Sequence, residues 1–488
     1  MFSSINVMMI GWGPHATRTY SKFFLKYKFE PRIVVDLDSQ KERVQEELKK
    51  FGFNTLVFTI PDSERDKEKM SSNICLMFDK LCSTYEITHV IVASEPKSHY
   101  AYMDYFVDKE VHMLVEKPIV APPEFYTLED AAKARDQYYD ILGRQKLEYQ
   151  CKIMCQRKMN KGYMKVLDLA EQIVKQYNIP VTRVYVSHCD GNWIMPHDLF
   201  YENHPYKYGY GKLFHSGYHF IDLFADIVKV NGNLSKDKVP VTVKVNSHFQ
   251  LEADDIQVYR PDEVVAIFKQ MGQEIPEFYD ENALSTDYSL FGEKAITSQF
   301  CFSNGNGKTM CLGNLYISQL GFSRRAWIKP HEDHYKNNGR VRHETVDIEL
   351  GPFMDIQVHS YQSKEIKDRA NDESLVGGLD HFDIYIFRNS EMIGGNPFEV
   401  ITSETLMSDN KDGNIRGLNE DSREDFILNF FSKTPSEKGE LKNHRLAIEI
   451  LYHICVQEIL YKNGNNETLT FSLNNLIWME VSYEYREN

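Results

Sequence analysis

The stretch Ile5–Tyr20, INVMMIGWGPHATRTY, decides how the chain begins to fold. An apolar run stops at Gly11, and Gly13 and Ala16 follow at the spacing G-x-G-x-x-A. In a strand–turn–helix unit the first glycine makes the tight turn. The second leaves room for a pyrophosphate against the backbone, and Ala16 permits close helix–strand packing. The helix N-terminus adds N–H groups and positive potential suited to phosphate. Such small residues are common at strand ends, so the motif gains meaning from its surroundings. The next apolar run, RIVVD, closes on Asp36, where an acid can hold ribose hydroxyls. A carboxylate there repels a 2′-phosphate, so NAD is expected rather than NADP, with Arg18 and Lys41 near enough in sequence to moderate the preference. The competing reading is an α/β domain that holds no cofactor.

Outward from that stretch, TLVFT, HVIVAS and HMLVEK are further short apolar runs, separated by helical segments such as QKERVQEELKKFG and SHYAYMDYFVDKE. Non-alternating, β-branched runs between amphipathic helices predict a parallel sheet covered on both faces. YQCKIMCQRK predicts a sixth strand, which puts the domain boundary near residue 150. Residues 1–150 are therefore expected to be a Rossmann-type domain and 151–488 a second one. The second half has a different pattern. A helix is expected from about Asn160 to Tyr177, then alternating strands such as TRVYVSH, VTVKVNSHF, AITSQFCFS, TMCLGNLYIS, TVDIEL and MDIQVHS. CFSNGNGKTM predicts a hairpin, with Asn-Gly supplying positive φ. The expectation is α/β overall: the second domain is α+β, built on a large, mostly antiparallel open sheet. Polar segments near 250–292 and 362–422 read as insertions, and HRLAIEILYHICVQEIL as a helix packed on a core.

The formal net charge of −15 argues against nucleic acid as a partner. The eight cysteines include no CxxC pair and do not read as a disulfide framework. No apolar run approaches the ~20 residues of a membrane helix, and no basic start leads into an apolar stretch. The expectation is a cytoplasmic protein without a membrane partner.

Two stretches carry chemistry. VHMLVEKPIVAPP places Glu116, Lys117 and Pro118 at the end of the fifth apolar run. Ligands of open parallel sheets bind outside the carboxyl ends of the strands. A lysine there can hydrogen-bond a substrate hydroxyl and stabilise the alkoxide-like oxygen of hydride transfer. Taken alone, the tripeptide reads equally as a surface ion pair. GKLFHSGYHFIDLF, Gly211–Phe224, sets His215, His219 and Asp222 on one face if the stretch is α-helical.

Together these segments resemble the glucose–fructose oxidoreductase / inositol dehydrogenase / rhizopine catabolism family. The marks are Pro96 and His99 after the fourth strand and Glu116-Lys117-Pro118 after the fifth. Gly209, Gly211, His215, Gly217, His219 and Asp222 follow in the second domain. CQRKMN around Arg157 resembles the segment that leads into that domain. The resemblance covers about residues 5–228 and the C-terminal helix. It implies a nicotinamide-dependent enzyme that oxidises or reduces a secondary alcohol of a sugar, amino sugar or cyclitol. It further implies a homo-oligomer. Lys117 would assist electrostatically and His219 would be the general acid/base, a task suited to an imidazole, with His215 the third expected catalytic residue. Asp222 would orient a neighbour. Ser94, Pro96, His99 and Glu116 join Gly11, Gly13, Ala16, Asp36 and Lys117 as expected cofactor contacts. Arg157, Trp193, His215 and Asp222, with Asp190 and Asn192, are expected near the substrate.

One position departs from the family: His215 stands where an aspartate is usual, so substrate or mechanism can differ. Alternatives therefore stay open. The chain could be a cofactor-binding regulator with a protein partner, or an imine or enone reductase. His215 and His219 could be structural, or could hold zinc, although the glutamate of H-E-x-x-H is absent. The tyrosines of FYENHPYKYGYGK suit carbohydrate or simply a packed loop.

Overall fold

The computed structural model describes residues 4–122, 124–191, 194, 199, 205–272, 286–321, 341–363, 380–407 and 418–473. The chain divides into two compact units. One comprises Met1–Phe125, Glu129–Asn160 and Asn419–Arg445; the other comprises Tyr126–Leu128, Lys161–Leu418 and Leu446–Asn488.

The first unit is a six-stranded, wholly parallel sheet. Its strands are β1 (Val7–Ile10), β2 (Ile33–Leu37), β3 (Leu56–Ile60), β4 (His89–Val92), β5 (His112–Val115) and β6 (Cys151–Ile153), in the order β3-β2-β1-β4-β5-β6. This is the Rossmann order, and the chain reverses direction across the sheet between β1 and β4. The apolar runs follow from burial on both faces: every residue of β1 and β4 is buried. Helices α1 (Pro14–Tyr27), α2 (Lys41–Lys50), α3 (Ser72–Thr84), α4 (His99–Phe106) and α5 (Leu128–Arg144) follow the strands in alternation. A late segment completes this unit. The helix Leu418–Phe430 brings Phe426, Ile427 and Phe430, with Phe431, into the core formed by Val7, Met9, Trp12, Tyr20 and Phe24.

The second unit is built on a nine-stranded sheet. Its strands are β7 (Arg183–Cys189), β8 (Pro240–Gln250), β9 (Ala295–Asn304), β10 (Thr309–Ser318), β11 (Val341–Leu350), β12 (Met354–Ser363), β13 (Asp380–Arg388), β14 (Phe398–Ile401) and β15 (Leu469–Ser472). The order is β14-β13-β12-β11-β7-β10-β9-β8-β15. Only β7 and β10 run parallel; every other pair is antiparallel, as the alternating sequence led one to expect. The β9–β10 hairpin turns through Gly307 at φ +71°, so the second Asn-Gly of the turn supplies the left-handed residue. Helices cover one face. In α6 (Lys161–Tyr177), Gly162 lies so close to the Phe382 ring that a Cβ would stand 2.1 Å from it. In α7 (Tyr218–Lys229), Phe224 packs against Phe300 at 4.9 Å between ring centroids. The helix Arg445–Lys462 joins β8 through Gln457, whose amide donates to the Val245 carbonyl at 3.0 Å.

The stretch 362–422, read from its polarity as an insertion, contributes β13 and β14 to the sheet edge. Its alternating residues Phe382, Ile384 and Ile386 are buried under α6 and its neighbours. The stretch 250–292 forms the short helices Glu252–Val258 and Pro261–Gln270 in its described part.

Candidate active site

The first unit assembles its site at the carboxyl ends of β1, β4 and β5. Gly11 leaves β1 at φ +83°, and its N–H donates to the Val35 carbonyl at 2.9 Å. A Cβ on Gly11 would stand 2.9 Å from the Ser94 backbone, so only glycine suits both the torsion and the space. At Gly13 a Cβ would meet nothing within 4 Å. Gly13 begins α1, no side chain caps that helix, and Pro14 occupies its first turn. The first-turn N–H groups thus face an open cradle, which suits a diphosphate. Ala16 is fully buried, as close packing of α1 on the sheet requires.

Asp36 ends up at this turn. One carboxylate oxygen accepts the Trp12 N–H at 2.8 Å and the other accepts the Leu37 N–H at 2.8 Å. The guanidinium beside it belongs to Arg43, 3.9 Å from Asp36 and bonded to the Trp12 carbonyl at 2.9 Å. Arg18 and Lys41 were the basic residues marked from sequence distance. Arg18 folds back along its own helix to the Pro14 carbonyl, and the helical register of α2 presents Arg43 instead.

The β4 and β5 loops are tied together. Pro96 opens the short helical turn Pro96–Ser98, and Ser98 donates to the Ser94 hydroxyl at 2.7 Å. His99 is fully buried; its ring joins the Pro118 carbonyl at 2.8 Å and the Ser94 carbonyl at 3.2 Å. Burial pushes its pKa down against these two carbonyls, and a ring with a single N–H donates to one of them at a time. Glu116 accepts the Tyr20 hydroxyl at 2.8 Å and approaches the His15 ring at 3.2 Å. Burial alone would raise its pKa. His15, Tyr20 and the Lys117 charge outweigh that and hold it at about 2. Lys117 is pulled the other way: burial lowers its ammonium to about 8 against the favourable charge of Glu116, and Arg423 and Arg157 lower it further. Arg157 is buried in the turn Gln156–Met159 just after β6. Arg423 comes from the late helix Leu418–Phe430, which no sequence spacing connects with Lys117. His15 and Tyr20 were likewise missed, being unremarkable positions within the glycine motif.

In the second unit, His215, His219 and Asp222 lie on one continuous helical stretch. The α-helical reading needs a correction: Leu213–Gly217 is a π-helical turn, and α7 begins only at Tyr218. A π turn holds an extra residue, so the 100° spacing does not carry from 215 to 219. His215 is half-buried, while His219 and Asp222 are buried. Gly211 starts the turn where a Cβ would stand 1.9 Å from the Glu293 carbonyl oxygen. Gly209, at φ +88°, and Gly217, whose Cβ would stand 2.7 Å from the Lys212 carbonyl oxygen, are equally constrained. Asp190 is fully buried beside Lys212. Asn192 and Trp193 lie outside the described residues. Among the described residues, His215 and His219 belong to no group of three side chains spaced to hold a metal ion.

With this geometry in view, comparison with known proteins gives a consistent result. Residues 5–139 match the family model described as oxidoreductase family, NAD-binding Rossmann fold. No curated protein matches the sequence. Among solved structures, an oxidoreductase from Agrobacterium radiobacter in complex with NAD+, L-tartaric acid and magnesium is similar at TM-score 0.53 and 10% identity, over 96% of this chain and 98% of that one. An aldose-aldose oxidoreductase from Caulobacter crescentus complexed with glycerol is similar at 0.52 and 12%, over 96% and 99%. A levoglucosan dehydrogenase in complex with NADH and levoglucosan is similar at 0.54 and 11%, over 96% and 99%. At such identities the likeness establishes a shared fold that runs through both units.

Proposed function

We propose that this chain is an NAD-dependent oxidoreductase that moves a hydride to or from a secondary alcohol of a sugar, amino sugar or cyclitol. The observation that carries the proposal is the switch-point site of the first unit. There, an open glycine cradle, Asp36 and an ammonium held at the carboxyl end of β5 meet at the sheet position where dinucleotides bind. The family match over 5–139 and the levoglucosan and NADH named for one of the similar structures support the same class.

The residues divide the work. Gly11 and Gly13 with the start of α1 hold the diphosphate. Asp36 takes the ribose hydroxyls on the carboxylate lone pairs that its two bonds to the turn N–H groups leave available. His99, Ser94 and Pro96 keep the β4 and β5 loops in place. The nicotinamide ring supplies the hydride acceptor, or the donor in the reverse direction. Lys117 donates a hydrogen bond to the substrate hydroxyl and steadies the negative charge that grows on its oxygen. Glu116 opposes the burial that would strip Lys117 of its proton. His219 takes the hydroxyl proton as the C–H hydride departs and a carbonyl forms; in reduction it returns that proton. His215, Asp222, Arg157 and Trp193 are assigned to the substrate.

The test is a panel of sugars, amino sugars and cyclitols with NAD+, followed by absorbance of the reduced nicotinamide, for the native chain, Lys117→Ala and His219→Ala. Turnover on a panel member that falls at least about 100-fold in both variants is expected, since a general acid–base group and a donor aimed at developing charge each contribute roughly that much. Undiminished turnover in either variant removes that residue's role. NADH binding without turnover on any panel member would favour a cofactor-binding regulator.

A further inference from the structure

We infer that Asp190, Lys212 and Ser216 form a positioning network that ties the π-helical turn carrying His215 to the central strands of the second sheet. The inference rests on the role proposed above for His215.

Lys212 and Asp190 are both fully buried. The Lys212 ammonium donates to one Asp190 oxygen, Oδ2, and also to the Ser216 hydroxyl. Ser216 donates to that same Oδ2 at 2.9 Å. Lys212 immediately precedes the turn, and Ser216 lies within it beside His215. The other oxygen, Oδ1, faces the sheet: His188 Nε2 of β7 lies 3.4 Å away and Arg342 Nε of β11 also 3.4 Å. Behind them, Glu344 of β11 accepts the Tyr163 hydroxyl of α6 at 2.9 Å, and Phe220 of α7 stacks on His188 at 3.9 Å. Asp190 thus has one oxygen on the turn and one on the strands.

Two features favour positioning over ligand binding. Lys212 and Arg342 face Asp190, and His188 lies between Asp190 and Glu344, so these groups are engaged with one another. A buried ion pair is also a poor source of stability: an apolar pair of similar volume is often as stable or more so. A π turn, by contrast, is an uncommon geometry that needs external ties. The opposite side of the turn is already held by Glu293, which accepts the Gly211 N–H at 3.0 Å and the Leu213 N–H at 2.5 Å; its carbonyl accepts the Lys212 N–H at 2.9 Å. Asp190 supplies the second tie, so acidic side chains from two separate elements hold the turn.

The test is the double variant Asp190→Leu/Lys212→Met, which removes both charges together, compared with the native chain by hydrogen exchange without ligand. Thermal stability should be unchanged or higher. Exchange protection of amides 213–219 should fall at least about tenfold, the loss of one effective hydrogen bond. In the NAD+ turnover assay, kcat should fall about tenfold or more while the KM for NAD+ stays within about twofold; a purely structural pair would leave that ratio alone. Unchanged protection, or unchanged kcat, overturns the inference. If the double variant does not fold, Ser216→Ala decides. It removes one hydroxyl arm and should lower protection in the same segment alone, and no change there overturns the inference equally. Should the native chain show no turnover on any substrate, the functional reading fails while the exchange result still judges the network.

Discussion

The two glycines of the first turn look alike in sequence and should behave oppositely when substituted by alanine. Gly11 has φ +83°, where a Cβ residue pays about 1–2 kcal/mol. Its new methyl carbon would also stand 2.9 Å from the Ser94 backbone, an overlap with no flexible side chain to yield, worth about 1–3 kcal/mol. Gly11→Ala should therefore destabilise the first unit by about 2–5 kcal/mol. Gly13 has φ −78° and ψ −179°, which any residue adopts, and a Cβ there meets nothing within 4 Å. The gain from a stiffer unfolded chain, about 0.4–1 kcal/mol, and the loss of a preferred N-cap residue nearly offset each other. Gly13→Ala should leave stability within about 0.5 kcal/mol of native. Its methyl nevertheless occupies the space assigned to the diphosphate, so NADH should bind about 10- to 100-fold more weakly. Urea unfolding and NADH fluorescence titration measure the two effects separately. A stable Gly13→Ala protein that binds NADH as the native chain does would refute the placement of the diphosphate.

Three further outcomes follow from the same site. Glu116→Gln keeps an oxygen for Tyr20 but loses the charge; the gap between 4.5 and about 2 corresponds to about 3 kcal/mol. A depressed carboxyl contributes its stability above the unfolded value and loses it as pH falls. The native-minus-variant difference in urea should thus be near that figure at pH 7 and less than half of it by about pH 3, and a difference that is flat with pH counts against the assignment. Lys117 loses its ammonium as pH rises through about 8, so kcat/KM should decline on an alkaline limb there. In Lys117→Arg, whose guanidinium stays charged, any remaining activity should lack that limb. Asp36→Asn keeps an acceptor for the turn but removes the charge that repels a 2′-phosphate, so the affinity ratio of NADP to NAD should rise about tenfold or more in competitive titration.

The first sheet was legible because its strands are buried on both faces and leave uninterrupted apolar runs, and because Gly11 and Asp36 act through local geometry. The late helix Leu418–Phe430 was not. Its attachment to the first unit is made by Phe426, Ile427 and Phe430, whose partners lie hundreds of positions away. β13 did carry a signal, the period-two alternation of Phe382, Ile384 and Ile386, but the polar stretches around it concealed the strand. The π turn was illegible in principle, since apolar periodicity does not register one added residue. The network of His188, Asp190, Lys212, Arg342 and Glu344 draws on separate strands and a turn, so no spacing in the chain could have announced it.

The claim on which the functional account stands is that a dinucleotide lies across the β1–β4 switch point with its reactive ring at Lys117. A crystal structure of the chain grown with NAD+ tests it most directly. The account predicts diphosphate density against Gly13 and the start of α1, ribose hydroxyls at Asp36, and Lys117 Nζ on the nicotinamide side, within reach of an oxygen placed beside C4. Density for NAD+ elsewhere in the chain, or a Lys117 side chain turned away from the ring, would contradict it.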